Sequence, residues 1–239
     1  MLNSSLKKKK KEDTLKIKKY AAIDIGSNAM RLLITYIVEQ EGKESQFNKN
    51  SLVRVPIRLG QDSFTVGEIS EENIDRMIDA MKAFRLLMKV HKVEKYKALA
   101  TSAMREAYNG KEVVEIIKEK AGIDIEIIDG KKEAIIIAST DLHHLLKSDR
   151  TYLYVDVGGG STEFSLFDNG KIVVSKSFKA GTVRFLNKMV CDVVWEEMEK
   201  WIKTNTKEYD EVILIGSGGN INNIDISNVF ETSMTCLSV

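Results

Sequence analysis

The sequence predicts an α/β fold with two lobes, and three observations support this prediction. Apolar strand patterns alternate with amphipathic helix patterns along the chain, an order typical of α/β proteins. Two strands, one in each half, end in an Asp-x-Gly turn, at Asp24 and at Asp156. A polar, charged segment at residues 147–150 separates the halves. We therefore expect a disordered basic tail over residues 1–19, a first lobe over residues 20–147 and a second lobe over residues 148–239.

The first lobe is expected to begin with three strands. Apolar and β-branched residues are enriched at residues 20–25, 32–38 and 52–59. Pro56 predicts an edge position for the third strand, because proline lacks the N–H that a central strand needs. Ser70 then predicts the N-cap of a long helix, because apolar residues follow it at helical spacing. The buried face of this helix is predicted to contain Ile74, Met77, Ile78, Met81, Phe84 and Met88.

The rest of the first lobe continues the alternation. A short strand is predicted at residues 98–101. Asn109 is expected to cap the next helix, and Gly122 to end it. A strand at residues 123–128 then precedes a helix that begins just after Gly130. Strand and helix in this order predict the α/β class.

The second lobe is expected to contain four strands and two helices. The strands are predicted at residues 152–157, 164–167, 171–178 and 212–215. The Asp-Asn-Gly sequence at residues 168–170 predicts a hairpin turn. A short helix is expected from Thr182, and an amphipathic helix around residues 195–202. From Asn222 onward we expect a loose end or a small edge element.

Composition excludes several classes of protein. Hydrophobic residues make up 43% and charged residues 30% of the chain, which is typical of soluble globular proteins. The longest apolar stretches, such as residues 134–138, are far shorter than the ~20 residues that span a bilayer. No apolar segment follows the N-terminal lysines, so no signal peptide is expected. Cys191 and Cys236 lie far apart and lack zinc-ligand spacing, which favours a reducing cytoplasm.

Charge is distributed unevenly along the chain. Residues 1–19 carry a net charge of +6, and the remaining residues carry −5. An acidic body lacks the broad basic surface of a nucleic-acid-binding protein, so we expect no nucleic acid and no membrane as partners. The lysine-rich tail is expected to be solvated, with weak binding to polyanions as the alternative.

Three glycine-rich turns follow apolar strands, at residues 24–28, 156–162 and 216–220. Glycine lets backbone N–H groups approach an anion such as phosphate. An aspartate just before such a turn would repel phosphate. Its position is explained if a divalent cation such as Mg²⁺ lies between the carboxylate and the phosphate. None of the turns has the G-x-G-x-x-G or G-x-x-x-x-G-K-[ST] pattern, which disfavours Rossmann and P-loop sites.

Six segments occur in the same order as in a known family, and the resemblance extends over about residues 20–221. They are Ala21-Ala-Ile-Asp-Ile-Gly-Ser-Asn28, Ala100-Thr-Ser-Ala-Met-Arg105-Glu-Ala107, Ile128-Asp-Gly-Lys-Lys-Glu133-Ala134, Val155-Asp-Val-Gly-Gly-Gly-Ser-Thr-Glu163, Gly181-Thr-Val-Arg-Phe-Leu186 and Ile215-Gly-Ser-Gly-Gly-Asn220. The sequence resembles the Ppx/GppA family of exopolyphosphatases and guanosine pentaphosphate phosphohydrolases, within the acetate kinase, actin and Hsp70 superfamily. This resemblance implies two ribonuclease H-like lobes, as in actin-like ATPases, with a phosphate-binding cleft between them.

The resemblance also implies roles for individual residues. Glu133 resembles the general base that activates the attacking water, and Arg105 a donor to phosphate during phosphoryl transfer. Asp156 and Glu163 resemble Mg²⁺ ligands, with Asp24 near the same ion. The residues expected to bind phosphoryl oxygens lie in the glycine-rich turns: Gly26, Ser27, Asn28, Gly158, Gly159, Gly160, Ser161, Thr162 and Gly218. Arg184 follows the family pattern as either a phosphate contact or a structural residue.

Three departures from the family pattern keep alternatives open. Ala29 stands where a hydroxyl residue is usual, and Ile135 where arginine is frequent. The chain also stops soon after Gly216, so a short or truncated second lobe is expected.

The leading prediction is a cytoplasmic, Mg²⁺-dependent hydrolase that removes the terminal phosphate of inorganic polyphosphate or of guanosine pentaphosphate. The first alternative is a binding or regulatory module that holds such a ligand without hydrolysing it. The second is a kinase or ATPase of the same superfamily. A homodimer is expected by analogy with the family.

Overall fold

The computed structural model describes residues 15–40, 42, 45–139, 149–218 and 236–238. The first sheet and its helices come from the N-terminal half of the chain. In chain order they are β1 (Lys16–Ile25), β2 (Met30–Glu39), β3 (Gln46–Val55), α1 (Leu59–Thr65), α2 (Glu71–Val90), β4 (Lys95–Ala100), α3 (Ser102–Glu106), α4 (Gly110–Ala121) and β5 (Glu126–Ile127).

The second sheet and its helices follow. They are α5 (Gly130–Ser139), β6 (Thr151–Val157), β7 (Thr162–Asp168), β8 (Lys171–Phe178), α6 (Thr182–Leu186), α7 (Asp192–Thr206), β9 (Ile213–Ser217) and β10 (Cys236–Ser238).

The two sheets have the same topology. Each begins with three consecutive antiparallel strands, β1–β2–β3 in the first and β6–β7–β8 in the second. Each then adds two strands in parallel beside the first strand of that meander. The resulting orders, β3-β2-β1-β4-β5 and β8-β7-β6-β9-β10, correspond strand for strand. The predicted α/β fold with two ribonuclease H-like lobes is confirmed.

Helices α2 and α4 pack against one face of the first sheet. Alternate residues of a strand point to the same face, and those of β1 and β2 that point to the helices are buried, including Ile23, Ile25, Leu32 and Ile34. The predicted apolar face of α2 is confirmed, since all six of its residues lie in this core. Full burial of one such side chain contributes about 1.5–3 kcal/mol. This core therefore fixes the strand end that carries Asp24.

Several predicted boundaries differ from the structure. β1 begins at Lys16, because residues 16–19 pair with β2 and do not belong to a disordered tail. The third strand is an edge strand of the described sheet, as predicted, but it ends before Pro56. The short helices α1 and α3 were not predicted, because fewer than two turns carry too little periodicity to recognise.

Asn109 lies at the predicted N-cap position of α4, but it does not cap the helix. Its Oδ1 accepts a hydrogen bond from the N–H of Ile69 at 2.9 Å, and its Nδ2 donates to the carbonyl of Ile69 at 2.8 Å. The side chain therefore joins the loop before α2 to the start of α4. The predicted position is confirmed, and the predicted capping bond is wrong.

Helix α5 packs on the second sheet, against β7 and β8. At Gly130 an added Cβ would lie 2.5 Å from the Cβ of Ser177 on β8, so only glycine allows this close approach. The chain therefore passes to the second sheet between β5 and α5. The predicted division between residues 147 and 148 assigns α5 to the first lobe, whereas its packing partners lie in the second.

Some predictions fall outside the described residues, namely the tail up to residue 14 and the segment of residues 219–235. Residues 236–238 form β10, a short edge strand parallel to β9, which agrees with the small edge element expected there. Cys191 is an exposed free thiol. Among the helices of the described ranges, none is both long and apolar enough to cross a membrane.

Asp62 stabilises the start of α2. Ser70 is the N-cap, as predicted, and its Oγ accepts from the N–H of Asn73 at 3.4 Å. Asp62 Oδ2 accepts from Ser70 N–H at 3.0 Å, from Ser70 Oγ at 2.6 Å and from Asn73 Nδ2 at 2.8 Å. Burial raises the pKa of the Asp62 carboxyl, but these hydrogen bonds outweigh burial and hold its pKa below the usual value.

Asp62→Asn is expected to lower the free energy of unfolding by about 1 kcal/mol at neutral pH, since water still screens the charge of this half-buried carboxylate. The pKa of Asp62 is lower in the folded than in the unfolded state. Its contribution is therefore complete above the unfolded-state pKa and is lost as pH falls through the folded-state pKa. Urea denaturation at neutral and acid pH measures this, with Asp75→Asn as a control on the same helix. A difference from wild type that persists in acid would contradict the prediction.

Candidate active site

A cavity of about 420 Å³ lies between the two sheets. The ends of β1 and β6, helix α5 and both Asp-x-Gly turns contribute to its walls. Ten of the predicted site residues line it: Asp24, Gly26, Ser27, Asn28, Glu133, Asp156, Gly158, Gly159, Ser161 and Glu163. The two lobes therefore bring together residues that are far apart in the sequence.

The first turn is a tight loop between β1 and β2. The N–H of Gly26 donates to the carbonyl of Ala29 at 3.1 Å, and the N–H of Gly60 donates to the carbonyl of Ser27 at 2.7 Å. Ser27 Oγ lies 2.9 Å from Ser102 Oγ, and both side chains are buried. Contacts with α1 and α3 thus hold this loop in place independently of any ligand.

The second turn packs closely against the first lobe. The N–H of Gly158 donates to the carbonyl of Ser161 at 2.9 Å and closes the turn. At Gly160 an added Cβ would lie 2.4 Å from both Phe64 Cζ and Ser102 Oγ. Only glycine fits at this position. Gly160 therefore allows the two lobes to approach each other and does not itself line the cavity.

Thr162 and Gly218 also lie outside the cavity lining. Thr162 is buried, and its Oγ1 donates to the carbonyl of Ala180 within the second lobe. Gly218 has a φ of 112°, and an added Cβ would lie 2.3 Å from the carbonyl oxygen of Val157. The structure thus gives both residues packing roles, and their contacts with phosphate stay predictions.

Glu133 lies in the first turn of α5, and its side chain faces the cavity. Arg105, near the end of α3, places Nη1 at 3.3 Å from Glu133 Oε2 and donates from Nη1 to the carbonyl of Ile128 at 2.7 Å. Burial and the negative charge of Glu163 raise the pKa of Glu133 to about 8, although Arg105 opposes this shift. The two predicted catalytic residues therefore contact each other, but Arg105 lies outside the cavity lining, and its contact with phosphate stays a prediction. In the absence of a cation, the Glu133 carboxyl is mostly protonated at neutral pH.

Burial between the lobes raises the pKa of three further carboxyl groups: Asp24, Asp156 and Glu163. The negative charge of Asp156 adds to this rise at both of the others. The cavity thus concentrates acidic groups that repel one another. A bound cation would relieve this repulsion and favour the ionised forms.

The acidic groups match the predicted Mg²⁺ site only in part. In the described ranges, no three His, Cys, Asp or Glu side chains are arranged to hold a metal ion by themselves. Mg²⁺ commonly takes only one or two carboxylates from the protein and completes its shell with water and phosphate oxygens. Asp24 and Asp156 fit this pattern, because each lies beside a glycine-rich turn that faces the same cavity; Glu163, predicted as a ligand with Asp156, also lines the cavity, and its role stays a prediction.

Sequence reasoning missed the side chains that hold these carboxylates. Arg31 Nη1 donates to Asp24 Oδ2 at 3.2 Å, and Ser177 Oγ donates to Glu163 Oε1 at 2.7 Å. Each donor lies directly opposite its carboxylate in an antiparallel strand pair. Neither pairing was predicted, and a bulge between Leu166 and Phe167 shifts the register of β7 and β8 so that Ser177, not Lys176, lies opposite Glu163.

These observations define the class of protein. Two lobes with the same strand order enclose a cavity lined by two Asp-x-Gly turns, which is the architecture of the actin-like ATPase fold. Residues 38–213 match the sequence pattern of the Ppx/GppA phosphatase family. The chain belongs to this family, and the resemblance found in the sequence is confirmed.

Individual relatives cover different shares of the chain. Over 207 residues it is 32% identical to the bifunctional 3-dehydroquinate synthase/phosphatase of Fusobacterium nucleatum. The aligned region covers 80% of this chain and 30% of that protein. Over 173 residues it is 30% identical to the guanosine-5'-triphosphate,3'-diphosphate pyrophosphatase of Photobacterium profundum. The aligned region covers 72% of this chain and 34% of that protein. The crystal structure of an exopolyphosphatase from Cytophaga hutchinsonii superposes with a TM-score of 0.71 at 26% identity, covering 90% of this chain and 72% of that one. The chain thus spans about a third of the length of the first two relatives.

Proposed function

We propose that this chain hydrolyses phosphoanhydride bonds and releases the terminal phosphate of inorganic polyphosphate or guanosine pentaphosphate, in a reaction that requires Mg²⁺. The observation that carries the proposal is the position of Glu133, whose side chain lines the same cavity as the glycine-rich turns of both lobes. The names of two similar proteins, a guanosine-5'-triphosphate,3'-diphosphate pyrophosphatase and an exopolyphosphatase, support the same chemistry.

The terminal phosphoryl group is expected to bind between the two turns. The N–H groups of Gly26 and Gly158 close the turns themselves, which leaves the N–H groups at the turn tips for a ligand. The side chain of Asn28 also lines the cavity and adds a neutral donor, whereas the hydroxyl of Ser161 is hydrogen-bonded to Glu163. Mg²⁺ bound near Asp24 and Asp156 would supply positive charge to the phosphate oxygens.

Glu133 is placed to accept a proton from the attacking water. As the oxygen of this water bonds to the terminal phosphorus, the bridging P–O bond breaks and the shortened phosphate chain leaves with the electron pair. The proton of the water moves to the carboxylate of Glu133. Since this step requires the ionised carboxylate, positive charge from the cation and from Arg105 must offset the effect of burial.

Cationic side chains extend from the cavity along the face of the first sheet opposite α2 and α4. Arg31 and Lys97 line the cavity. Arg54 is exposed and lies opposite Arg31 in the register of β2 and β3. A polyanion whose end is bound in the cavity would meet this basic surface. Arg31 and Lys97 are already paired with Asp24 and Glu126, so the preference for inorganic polyphosphate over a substrate that ends in a nucleoside rests on Arg54.

Release of orthophosphate from each substrate, with Mg²⁺ and with a chelator, tests the proposal. We expect release that depends on Mg²⁺ and that is faster with polyphosphate than with guanosine pentaphosphate. A Glu133→Gln preparation controls for contaminating phosphatases. If equilibrium dialysis detects binding of either ligand but neither is hydrolysed, the proposed activity is wrong, and a non-catalytic phosphate-binding role replaces it.

A further inference from the structure

Two hydroxyl groups form a hydrogen-bonded series that ends on Asp156. Tyr154 OH lies 2.5 Å from Ser217 Oγ, and Ser217 Oγ donates to Asp156 Oδ1 at 2.5 Å. Tyr154 and Asp156 are two residues apart on β6 and therefore point to the same face of the sheet. Ser217 lies opposite Asp156 at the end of β9. Parallel pairing of β6 and β9 brings the three polar groups together.

The direction of these hydrogen bonds follows from their chemistry. An ionised carboxylate can only accept, so the single proton of the Ser217 hydroxyl is donated to Asp156. The phenol of Tyr154 then donates to a lone pair of Ser217. Each bond polarises the next, which strengthens both in a site of low dielectric constant. Rotation of the Ser217 hydroxyl would break both bonds.

Tyr154 is a fixed point in this series. Its side chain is 8% exposed and lies in a small apolar cluster on the second sheet. The other buried members of the cluster are Tyr152, Phe167, Ile213 and Ile215. This cluster, rather than a loop, therefore sets the position of the phenol.

We propose that Ser217 and Tyr154 are positioning residues for Asp156. Ser217 occupies Oδ1 of the carboxylate, and no residue in the described part of the chain donates to Oδ2. Because Asp156 lines the cavity, this arrangement holds the carboxylate in one orientation with Oδ2 available to a divalent cation. The inference rests on the proposed function, in which Asp156 contributes to the Mg²⁺ site.

Partners of this kind typically change metal affinity by about 10–100-fold when they are removed. Ser217→Ala removes the donor to Oδ1 and is expected to weaken cation binding by about 10-fold. Tyr154→Phe keeps the ring and the bond between Ser217 and Asp156, so a smaller effect of about threefold is expected from the loss of one polarising bond. Ser217→Thr keeps the hydroxyl and is expected to bind like wild type.

Mn²⁺ binding to the full chain, measured from the EPR signal of free Mn²⁺, tests the inference without catalysis. Ser175→Ala is a matched control, because the Ser175 hydroxyl donates to Ser165 Oγ at 3.1 Å in the same sheet and lies outside the cavity lining. We expect the weakest binding for Ser217→Ala, intermediate binding for Tyr154→Phe and unchanged binding for the control. Wild-type affinity in a Ser217→Ala variant with an unchanged Tm would overturn the proposal.

Hydrolysis assays on the same variants separate this inference from the proposed function. If the variants bind Mn²⁺ in the expected order but wild-type protein hydrolyses neither substrate, the proposed activity is refuted and the positioning role is supported. Hydrolysis with the same half-saturating Mg²⁺ concentration in wild type and Ser217→Ala would refute the positioning role and leave the activity intact. Neither binding nor hydrolysis by wild type would refute both.

Discussion

Glu133→Gln is expected to lower the rate of phosphate release by about 10²–10⁴-fold, the usual contribution of a general base, while the fold stays intact. Glutamine has the shape of a protonated glutamic acid but cannot accept the proton of the attacking water. Burial and Glu163 raise the pKa of Glu133 to about 8, so the cation-free protein already holds this carboxyl mainly protonated. The substitution therefore resembles the resident form in shape and charge, and Tm should change little.

The measurement compares kcat, Tm and polyphosphate affinity in the same preparations. Glu119→Gln is the matched control, because Glu119 is an exposed residue of α4 far from the cavity lining. Affinity for polyphosphate should be retained or increased in Glu133→Gln, since the variant removes a negative charge that could form in the cavity. A kcat within a factor of about ten of wild type would show that Glu133 is not the base, because even a weak general base contributes more.

Residues in turns directly after strands could be predicted from the sequence. The turns that contain Asp24 and Asp156 follow apolar strands, and both the strand pattern and the turn composition are local properties. Most of the site residues in these turns line one cavity, whereas Gly160 and Thr162 do not. Arg31 was not found in this way, because it precedes the predicted second strand and its pairing with Asp24 is a property of the β1–β2 register.

Other features depend on contacts between segments distant in sequence. Ser217 contacts Asp156 only because β9 pairs in parallel with β6, and no local pattern specifies that neighbour. Gly158, Gly159 and Gly160 are consecutive, and the sequence gives no reason to distinguish them. The role of Gly160 comes from the close approach of Phe64 in the other lobe. The placement of α5 likewise depends on Gly130 meeting β8. Hydrophobic periodicity in the sequence identifies a helix or a strand, but tertiary packing determines which other segment that helix or strand contacts.

Arg184 is a further residue whose role required the structure. The sequence leaves open whether it contacts phosphate or has a structural role. Its Nε donates to the carbonyl of Gly160 at 2.7 Å, and its Nη2 lies 2.7 Å from Glu106 Oε2 of the first lobe. Its guanidinium also lies 3.9 Å from the centroid of the Phe64 ring. The side chain is buried outside the cavity lining, so these contacts give Arg184 a structural role between the lobes.

Arg184→Ala is expected to lower the free energy of unfolding by about 3 kcal/mol, because it leaves a largely buried carboxylate and a backbone carbonyl without their main donor. Phosphate release should fall as well, since the second glycine-rich turn loses its bond at Gly160. Lys179→Ala is the matched control, because Lys179 Nζ lies 3.2 Å from the same Glu106 oxygen but is 72% exposed. Loss of this exposed pair is expected to cost less than about 1 kcal/mol.

Chemical denaturation of Arg184→Ala, Glu106→Gln and the double variant measures how strongly the two side chains are coupled. If Glu106 is the main partner, the double variant should be less destabilised than the two single effects combined, because no unpaired charge is left between the lobes. Additive losses would place the stabilising effect of Arg184 in its contacts with Gly160 and Phe64 instead. Equal stability of Arg184→Ala and Lys179→Ala would contradict a structural role between the lobes, since burial is the property that separates these two partners of Glu106.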